Sequence, residues 1–421
     1  MKLFWRYFCL FSIISLVYFF KILNGQKKST ATHNSTLLSN QLSTKKAYPV
    51  SQINLSNAFF LSKIEQAANI IALFRHGSRY PTKKKTAIFQ NDSDFSQFYA
   101  ESDGYSKKAG KLTTLGKMEL FRHGQNYRSF FDSKIKLNSS DSFEFRSTHK
   151  NRTIDSMNHF LRGAFEQPDF LKKLKTAQII IEPEPVENDY LSEKYFLRNL
   201  QRCCTSGYSM KDRRNEFLKF HFETQFGIQN FEKYRYQRLF CAMKYLETAE
   251  NFTYTIEDFS DTHPVFRSIC AKNITNNWPE NIEKVNNYKT FYSSGPKFQT
   301  NYKTAFILLE KIIQKIKNKS NQNAFYFGHA ETIVPLLTLM NIENLQHIPL
   351  EQWDVSNISP MAASFSIIIG KNDDICMFLN ERNLGECKSK DNFLRYLENI
   401  LFENQINDET KASIIEQCSC K

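Results

Sequence analysis

No Cys-x-x-Cys spacing occurs anywhere in the 421 residues. That absence weakens a zinc-site or dithiol-redox reading, because both chemistries bring two sulfurs onto one short turn. No run of Lys and Arg is longer than Lys83-Lys84-Lys85, and no nucleic-acid-binding motif is present, so nucleic acid is not the expected partner. No internal repeat is visible, which sets solenoids and propellers aside. The N-terminal apolar run, residues 7–20, is shorter than the about 20 residues a membrane-crossing helix needs.

What is present points elsewhere. The formal net charge is +13, a balance that suits an anionic partner: nucleic acid, acidic lipid or a multiply phosphorylated small molecule. A merely basic surface would give the same sum. Lys2 and Arg6 flank the start of the apolar run, which stops at Lys21; together they form the basic and apolar regions of a leader. Residues 1–25 are therefore expected to be a signal peptide, cleaved after Gly25, or an uncleaved signal anchor. Either address sends the remainder into the secretory pathway, secreted or lumenal as in the endoplasmic reticulum or a lysosome-like compartment. A membrane enters only through such an anchor. Nine Asn-x-Ser/Thr acceptors begin at Asn34, Asn54, Asn91, Asn138, Asn151, Asn251, Asn273, Asn318 and Asn357, as a glycoprotein would have. Eight cysteines follow the leader, at 203, 204, 241, 270, 376, 387, 418 and 420, an even number that fits disulfide pairing in an oxidising lumen. Free buried thiols are the plainer alternative.

Residues 26–58 are rich in Ser, Thr, Asn, Gln and Lys and read as a flexible stalk. An α/β pattern follows over 59–188. The apolar Ile70-Ile71-Ala72-Leu73-Phe74 suits a central buried strand, and a helix carrying Leu115, Met118, Leu120, Phe121 and Tyr127 comes after Thr113-Thr114. Further strands are expected at 143–145 and 178–181, with a helix at 158–165 between them. Over 189–284 aromatic and charged residues alternate at helical spacing, which predicts a mostly helical insertion or cap. Over 285–421 the α/β pattern returns, with helices at 302–316 and 331–340 and strands at 324–327, 363–369 and 375–379. The 38 phenylalanines are read as core material. The expected fold is α/β: a core sheet flanked by helices, with an inserted helical subdomain. Ligands in such sheets sit at the carboxyl ends of strands, where His76 and His329 both fall.

The segment Arg75-His76-Gly77-Ser78-Arg79-Tyr80-Pro81-Thr82 carries the chemistry. A histidine between arginines is poor core material, since buried charge is costly without partners; the bland alternative is a basic turn. Guanidinium groups match phosphate oxygens bidentately, and a neutral imidazole is nucleophilic toward phosphorus. Gly77 is expected to let a substrate approach the backbone. The segment 146–153 offers Arg152 as a further anion ligand, although surface arginines are common. In Phe327-Gly328-His329-Ala330-Glu331-Thr332, His329 can donate to a phosphate and Glu331 can protonate a leaving oxygen; a Glu placed only to favour a helix dipole is the plain alternative. A second Arg-His-Gly, at 122–124, sits inside a helix pattern, with His123 expected near the helix surface and outside the chemistry.

Taken together, these segments resemble the histidine acid phosphatases, whose signature is RHGxRxP with a distal His followed by an acid. The order His329-Ala330-Glu331 is similar to the HAE variant of the multiple inositol polyphosphate phosphatase branch. Leu112-Thr113-Thr114-Leu115-Gly116, Glu187-Asn188-Asp189 ahead of Cys203-Cys204, Pro360-Met361-Ala362-Ala363, and Phe378-Leu379-Asn380-Glu381 with Cys387 extend the likeness over about 70–387. It implies His76 as nucleophile, Glu331 as proton donor, and Arg75, Arg79, Arg152 and His329 as phosphate ligands. Thr82, Lys83, Lys84 and Lys85 lie where related phytases contact substrate. No metal or other cofactor is implied. The implied reaction is phosphomonoester hydrolysis through a phosphohistidine, with inositol polyphosphates (phytate and lower forms) as substrates and 2,3-bisphosphoglycerate as a further candidate. A broad-specificity acid phosphatase and a catalytically silent binding protein are the competing readings.

Overall fold

In the computed structural model, residues 67–79, 110–130, 142–165, 178–181, 287, 290–291, 294–297, 299–318 and 322–404 are described. The leader, the stalk, the whole of the 189–284 region, Thr82 with the three lysines after it, and Cys203, Cys204, Cys241, Cys270, Cys418 and Cys420 lie outside them.

The apolar run near residue 70 forms β1 (Ala67–Arg75), and all of Ile70, Ile71, Ala72, Leu73 and Phe74 are buried. Successive side chains of a strand point to opposite faces, so β1 feeds two cores. Ile71 and Leu73 enter an aliphatic cluster, while Ile70, Ala72 and Phe74 enter an aromatic one. The remaining strands are β2 (Ser142–Ser147), β3 (Gln178–Ile181), β4 (Gln322–Gly328), β5 (Ser364–Gly370), β6 (Asp374–Leu379), β7 (Arg382–Asn383) and β8 (Lys388–Ser389). They form one sheet ordered β3-β2-β4-β1-β5-β6-β7, with β8 beside β6. Pairing is parallel from β3 to β1 and antiparallel beyond it.

Five longer helices flank the sheet: α1 (Thr114–Phe130), α2 (Asn151–Phe165), α3 (Phe306–Lys317), α4 (Ala330–Leu339) and α5 (Lys390–Glu403). α1 and α2 pack on the aromatic face and α3, α4 and α5 on the aliphatic one. The aromatic face accounts for part of the phenylalanine excess. Phe74 stacks on Phe327 at 5.2 Å between ring centroids, and Phe145 on Phe325 at 5.2 Å. Gly124 of α1 and Gly163 of α2 let these helices touch backbone to backbone: a Cβ on Gly124 would come within 2.1 Å of the Phe160 carbonyl oxygen.

Two expectations are corrected here. The inner face of α1 is built from Leu120 and Tyr127 together with the polar Glu119 and His123, and Met118 is solvent-exposed. His123 is fully buried rather than near the surface. α2 begins at Asn151, seven residues earlier than its apolar pattern indicates, since its first turn is pinned by Thr153 bonding back to Lys150. A disulfide joins Cys376 to Cys387 and closes the β6–β7 hairpin; cross-linking so short a loop contributes roughly 3 kcal/mol by restricting the unfolded chain. Among the described residues, no helix is long and apolar enough to cross a membrane.

Candidate active site

Parallel register brings the two sequence-distant histidines together. Arg75 at the end of β1 lies opposite Gly328 at the end of β4, so the next residues, His76 and His329, leave adjacent strands side by side. Their rings sit 5.5 Å apart, edge to face. The His76 backbone is clamped on both flanks: its N–H donates to the Gly328 carbonyl at 3.0 Å and its carbonyl accepts from Ala362 N–H at 3.1 Å.

The His76 side chain is buried, and its Nδ1 lies 2.8 Å from the Gly77 carbonyl oxygen. A carbonyl only accepts, so Nδ1 carries the hydrogen and Nε2 keeps its lone pair. Burial, then the charges of Arg79, Arg152 and Arg75 and the neighbouring His329, hold the imidazole pKa well below its ordinary value. The ring therefore stays neutral and nucleophilic into acidic solution.

Three guanidinium groups surround it. Arg75 is buried and donates from Nη1 to the Ser359 carbonyl at 2.6 Å. Burial lowers its pKa to about 9, opposed by Glu331 and Glu119 and reinforced by Arg79 and Arg152, and it remains cationic at neutral pH. Arg79 is buried just past the turn, bridged to Leu112. Arg152, in the first turn of α2, is half-buried; burial lowers its pKa and Glu331 opposes the shift. The Nε atoms of Arg75 and Arg152 are buried without a hydrogen-bond partner among the described residues. Clustered cations with buried open donors define an anion site.

His329 is oriented by a chain of hydroxyls. Arg152 Nη2 donates to His329 Nδ1 at 3.3 Å, because guanidinium cannot accept. The hydrogen of His329 therefore sits on Nε2, 3.1 Å from Thr148 Oγ1. Thr148 Oγ1 in turn meets Thr153 Oγ1 at 2.7 Å, and Thr153 donates to the Lys150 carbonyl. Glu331 is exposed in the first turn of α4, close enough to raise the pKa of both Arg75 and Arg152. It is exposed beside the cationic cluster, while His76 is buried and His329 half-buried.

The sequence-predicted residues Arg75, His76, Arg79, Arg152, His329 and Glu331 thus converge. Sequence reasoning missed the supports. Glu119, fully buried on α1, accepts Ser78 N–H at 2.7 Å and the Ser78 hydroxyl at 3.0 Å. Thr113 caps α1 by accepting from Gly116 N–H and donates to the Ser78 carbonyl. Ser156 accepts from Gly77 N–H and donates to the Arg152 carbonyl. Thr148 and Thr153 lie within a segment already singled out for Arg152, so their spacing held the signal. Glu119 had none beyond its place on an otherwise apolar helix face. The expected use of Gly77 is also corrected: a Cβ there would come within 2.2 Å of the Gly116 carbonyl oxygen. The glycine admits α1 against the histidine loop, not a substrate against the backbone.

A strand-end histidine ringed by arginines, with a second histidine and an acid on the neighbouring strand's loop, is the arrangement of one protein class. The chain belongs to the histidine phosphatase superfamily, branch 2, whose family model matches residues 68–397. Human multiple inositol polyphosphate phosphatase 1 is 21% identical over 322 residues, 64% of this chain and 61% of that protein. The chain thus spans less than two thirds of that relative. The multiple inositol polyphosphate phosphatase of Bifidobacterium longum, crystallised with inositol hexasulfate, shares the fold with a TM-score of 0.54 at 14% identity, over 83% of this chain and 93% of that one. The phytase from D. castellii does so with a TM-score of 0.52 at 12% identity, over 91% of this chain and 87% of that one.

Proposed function

We propose that this protein hydrolyses phosphate monoesters through a phosphohistidine on His76. One observation carries the reading: the Nδ1 contact with the Gly77 carbonyl at 2.8 Å leaves Nε2 as the free lone pair within a ring of three arginines. In the first step Nε2 attacks phosphorus and the ester P–O bond breaks. Arg75, Arg79, Arg152 and His329 stabilise the equatorial oxygens, and Glu331 gives its proton to the departing alkoxide. In the second step water attacks phosphorus as the Nε2–P bond breaks, and the Glu331 carboxylate takes the proton from that water. Phosphate leaves and both groups return to their starting states.

Inositol polyphosphates, phytate and its lower forms, are the proposed substrates, with 2,3-bisphosphoglycerate a further one. The net charge of +13 and the named relatives support a polyanion, and Thr82 and Lys83 to Lys85 are the proposed contacts to its additional phosphates. Passage through the secretory pathway, as a secreted or lumenal protein, rests on the leader pattern and the Cys376–Cys387 disulfide. The test is phosphate release from purified inositol hexakisphosphate with isomers resolved over time. His76→Ala is expected to abolish turnover in a folded protein; near wild-type hydrolysis by that variant refutes the proposal. Much higher kcat/KM on p-nitrophenyl phosphate than on phytate would instead assign a broad-specificity phosphatase.

A further inference from the structure

The second Arg-His-Gly motif plays no part in the reaction above, yet its histidine is fully buried on the inner face of α1, edge-on to Phe74 at 5.5 Å. An ionisable ring is poor filler for an aromatic core unless its polar atoms are engaged. Nε2 lies 3.0 Å from the Ala362 carbonyl oxygen, and Nδ1 stands 3.3 Å from Oε1 of Glu381, an ion-pair contact when the ring is protonated. The carbonyl only accepts, so Nε2 is the donor to it.

Ala362 is an unusual residue to find at the end of that bond. It holds a left-handed backbone with φ of 53°, a conformation that costs a residue with a Cβ about 1–2 kcal/mol. Its N–H donates to the carbonyl of His76 at 3.1 Å, and the neighbouring Ala363 carbonyl accepts from Arg75 N–H at 2.8 Å. The Ser359 carbonyl, at the start of the same turn, receives the Arg75 side chain. The turn over 359–363 therefore fixes the nucleophile's backbone and one arginine together, and its strained pivot is held from behind by His123. Glu381, on the β6–β7 hairpin that the Cys376–Cys387 disulfide closes, holds the far side of the imidazole.

We infer that His123 is a positioning residue for His76: it fixes the Ala362 turn through Nε2, with Glu381 orienting its ring. The inference rests on the phosphohistidine reading. It is specific to the second motif's own geometry, since a side chain that merely filled the core would not need the Nε2 hydrogen bond to Ala362.

The experiment compares wild type, His123→Leu and His123→Gln on p-nitrophenyl phosphate, with circular dichroism and thermal melts to establish folding. Leucine keeps the volume and removes the Nε2 hydrogen bond and the Glu381 contact; the glutamine amide restores a donor where Nε2 stood. Misplacing a reacting group by a fraction of an ångström to 1 Å lowers turnover by roughly 10- to 100-fold. His123→Leu is expected to lose kcat in that range with KM nearly unchanged, and His123→Gln to recover most of it. Wild-type kcat in folded His123→Leu overturns the inference, as does a glutamine variant impaired as severely as the leucine one. Should His123→Leu fail to fold, Glu381→Asn carries the test. Asparagine tolerates the φ of 66° at that position but is too short to reach the imidazole. A several-fold fall in kcat at constant KM supports the inference, and wild-type kcat overturns it. A wild-type protein that releases no phosphate from any ester marks a different failure, that of the phosphohistidine reading, and this inference falls with it.

Discussion

Gly77→Ala is the sharpest perturbation the site allows, because it adds one methyl group and alters no charge. The new Cβ would stand 2.2 Å from the Gly116 carbonyl oxygen and 2.8 Å from the Gly116 Cα. Carbon and oxygen pack no closer than about 3.2 Å in ordinary contacts, so one backbone must retreat by roughly 1 Å, and neither is a flexible side-chain tip. α1 cannot yield easily: Thr113 bonds to Ser78, Glu119 bonds to Ser78, and Gly124 is locked against α2. The histidine loop is therefore the part expected to shift. Overpacking of this kind costs about 1–3 kcal/mol of stability, and a shift approaching 1 Å at the nucleophile costs about 100-fold in turnover. The assay pairs urea unfolding with phosphate release. Gly385→Ala serves as the comparison: Gly385 has φ of 116° and nothing within 4 Å of its added Cβ, so that variant pays backbone strain without touching the loop and should retain kcat. Wild-type stability and turnover in Gly77→Ala would refute the claim that close backbone contact, rather than substrate access, requires this glycine.

Glu331→Gln should lower the rate of phosphoryl transfer to His76 from alkyl phosphates by about 10²- to 10⁴-fold while sparing that first step on p-nitrophenyl phosphate, whose phenolate departs without a proton; equal losses in the pre-steady-state burst on both refute a proton-donor role. Because His76 is held well below its ordinary pKa, the unfolded chain takes up a proton near pH 6.5 that the native site refuses. Stability contributed by this group is complete above that pH and falls as pH drops, by up to about 1.4 kcal/mol per unit. Chemical denaturation at pH 7 and pH 5 should show a smaller acid loss for His76→Gln than for wild type, and identical losses refute it. Asn151 is exposed but directly precedes Arg152 and opens the helix that carries it, so glycopeptide mapping should find it unmodified; full occupancy counts against Arg152 as a pocket residue.

The strands and the catalytic candidates were legible because each left a one-dimensional mark. Five consecutive apolar residues at 70–74 announce a strand buried on both faces, and a charged triplet at its end has no structural use. His329 was legible for the same reason, at the end of β4. Supports that act through space left weaker marks. Glu119 is a single acid on a helix, indistinguishable in sequence from a solvated one until Ser78 is seen against it. Helical periodicity reads side-chain polarity, so it placed His123 outward; the structure reverses this because α1 packs on the histidine loop through polar contacts as well as apolar ones. The strained Ala362 and the α2 start at Asn151 depend on partners more than a hundred residues away or on hydroxyl bonds that periodicity does not register.

The charge balance of the pocket argues for its occupant. Arg75, Arg79 and Arg152 each lower the pKa of His76, and Arg79 and Arg152 lower that of Arg75. Among the described residues, the carboxylates that act on Arg75 are Glu331, which also acts on Arg152, and Glu119, which is already committed to Ser78. Adding a proton to His76 would deepen the repulsion, which is why the imidazole stays neutral. A bound dianion does the opposite. It relieves the repulsion among the arginines, fills the open Nε donors of Arg75 and Arg152, and presents phosphorus to an Nε2 that its own backbone contact keeps unprotonated. The mutual repulsion of these arginines is thus what would stabilise a phosphoryl group as it moved between oxygen and nitrogen, and burial together with the same arginines keeps His76 neutral.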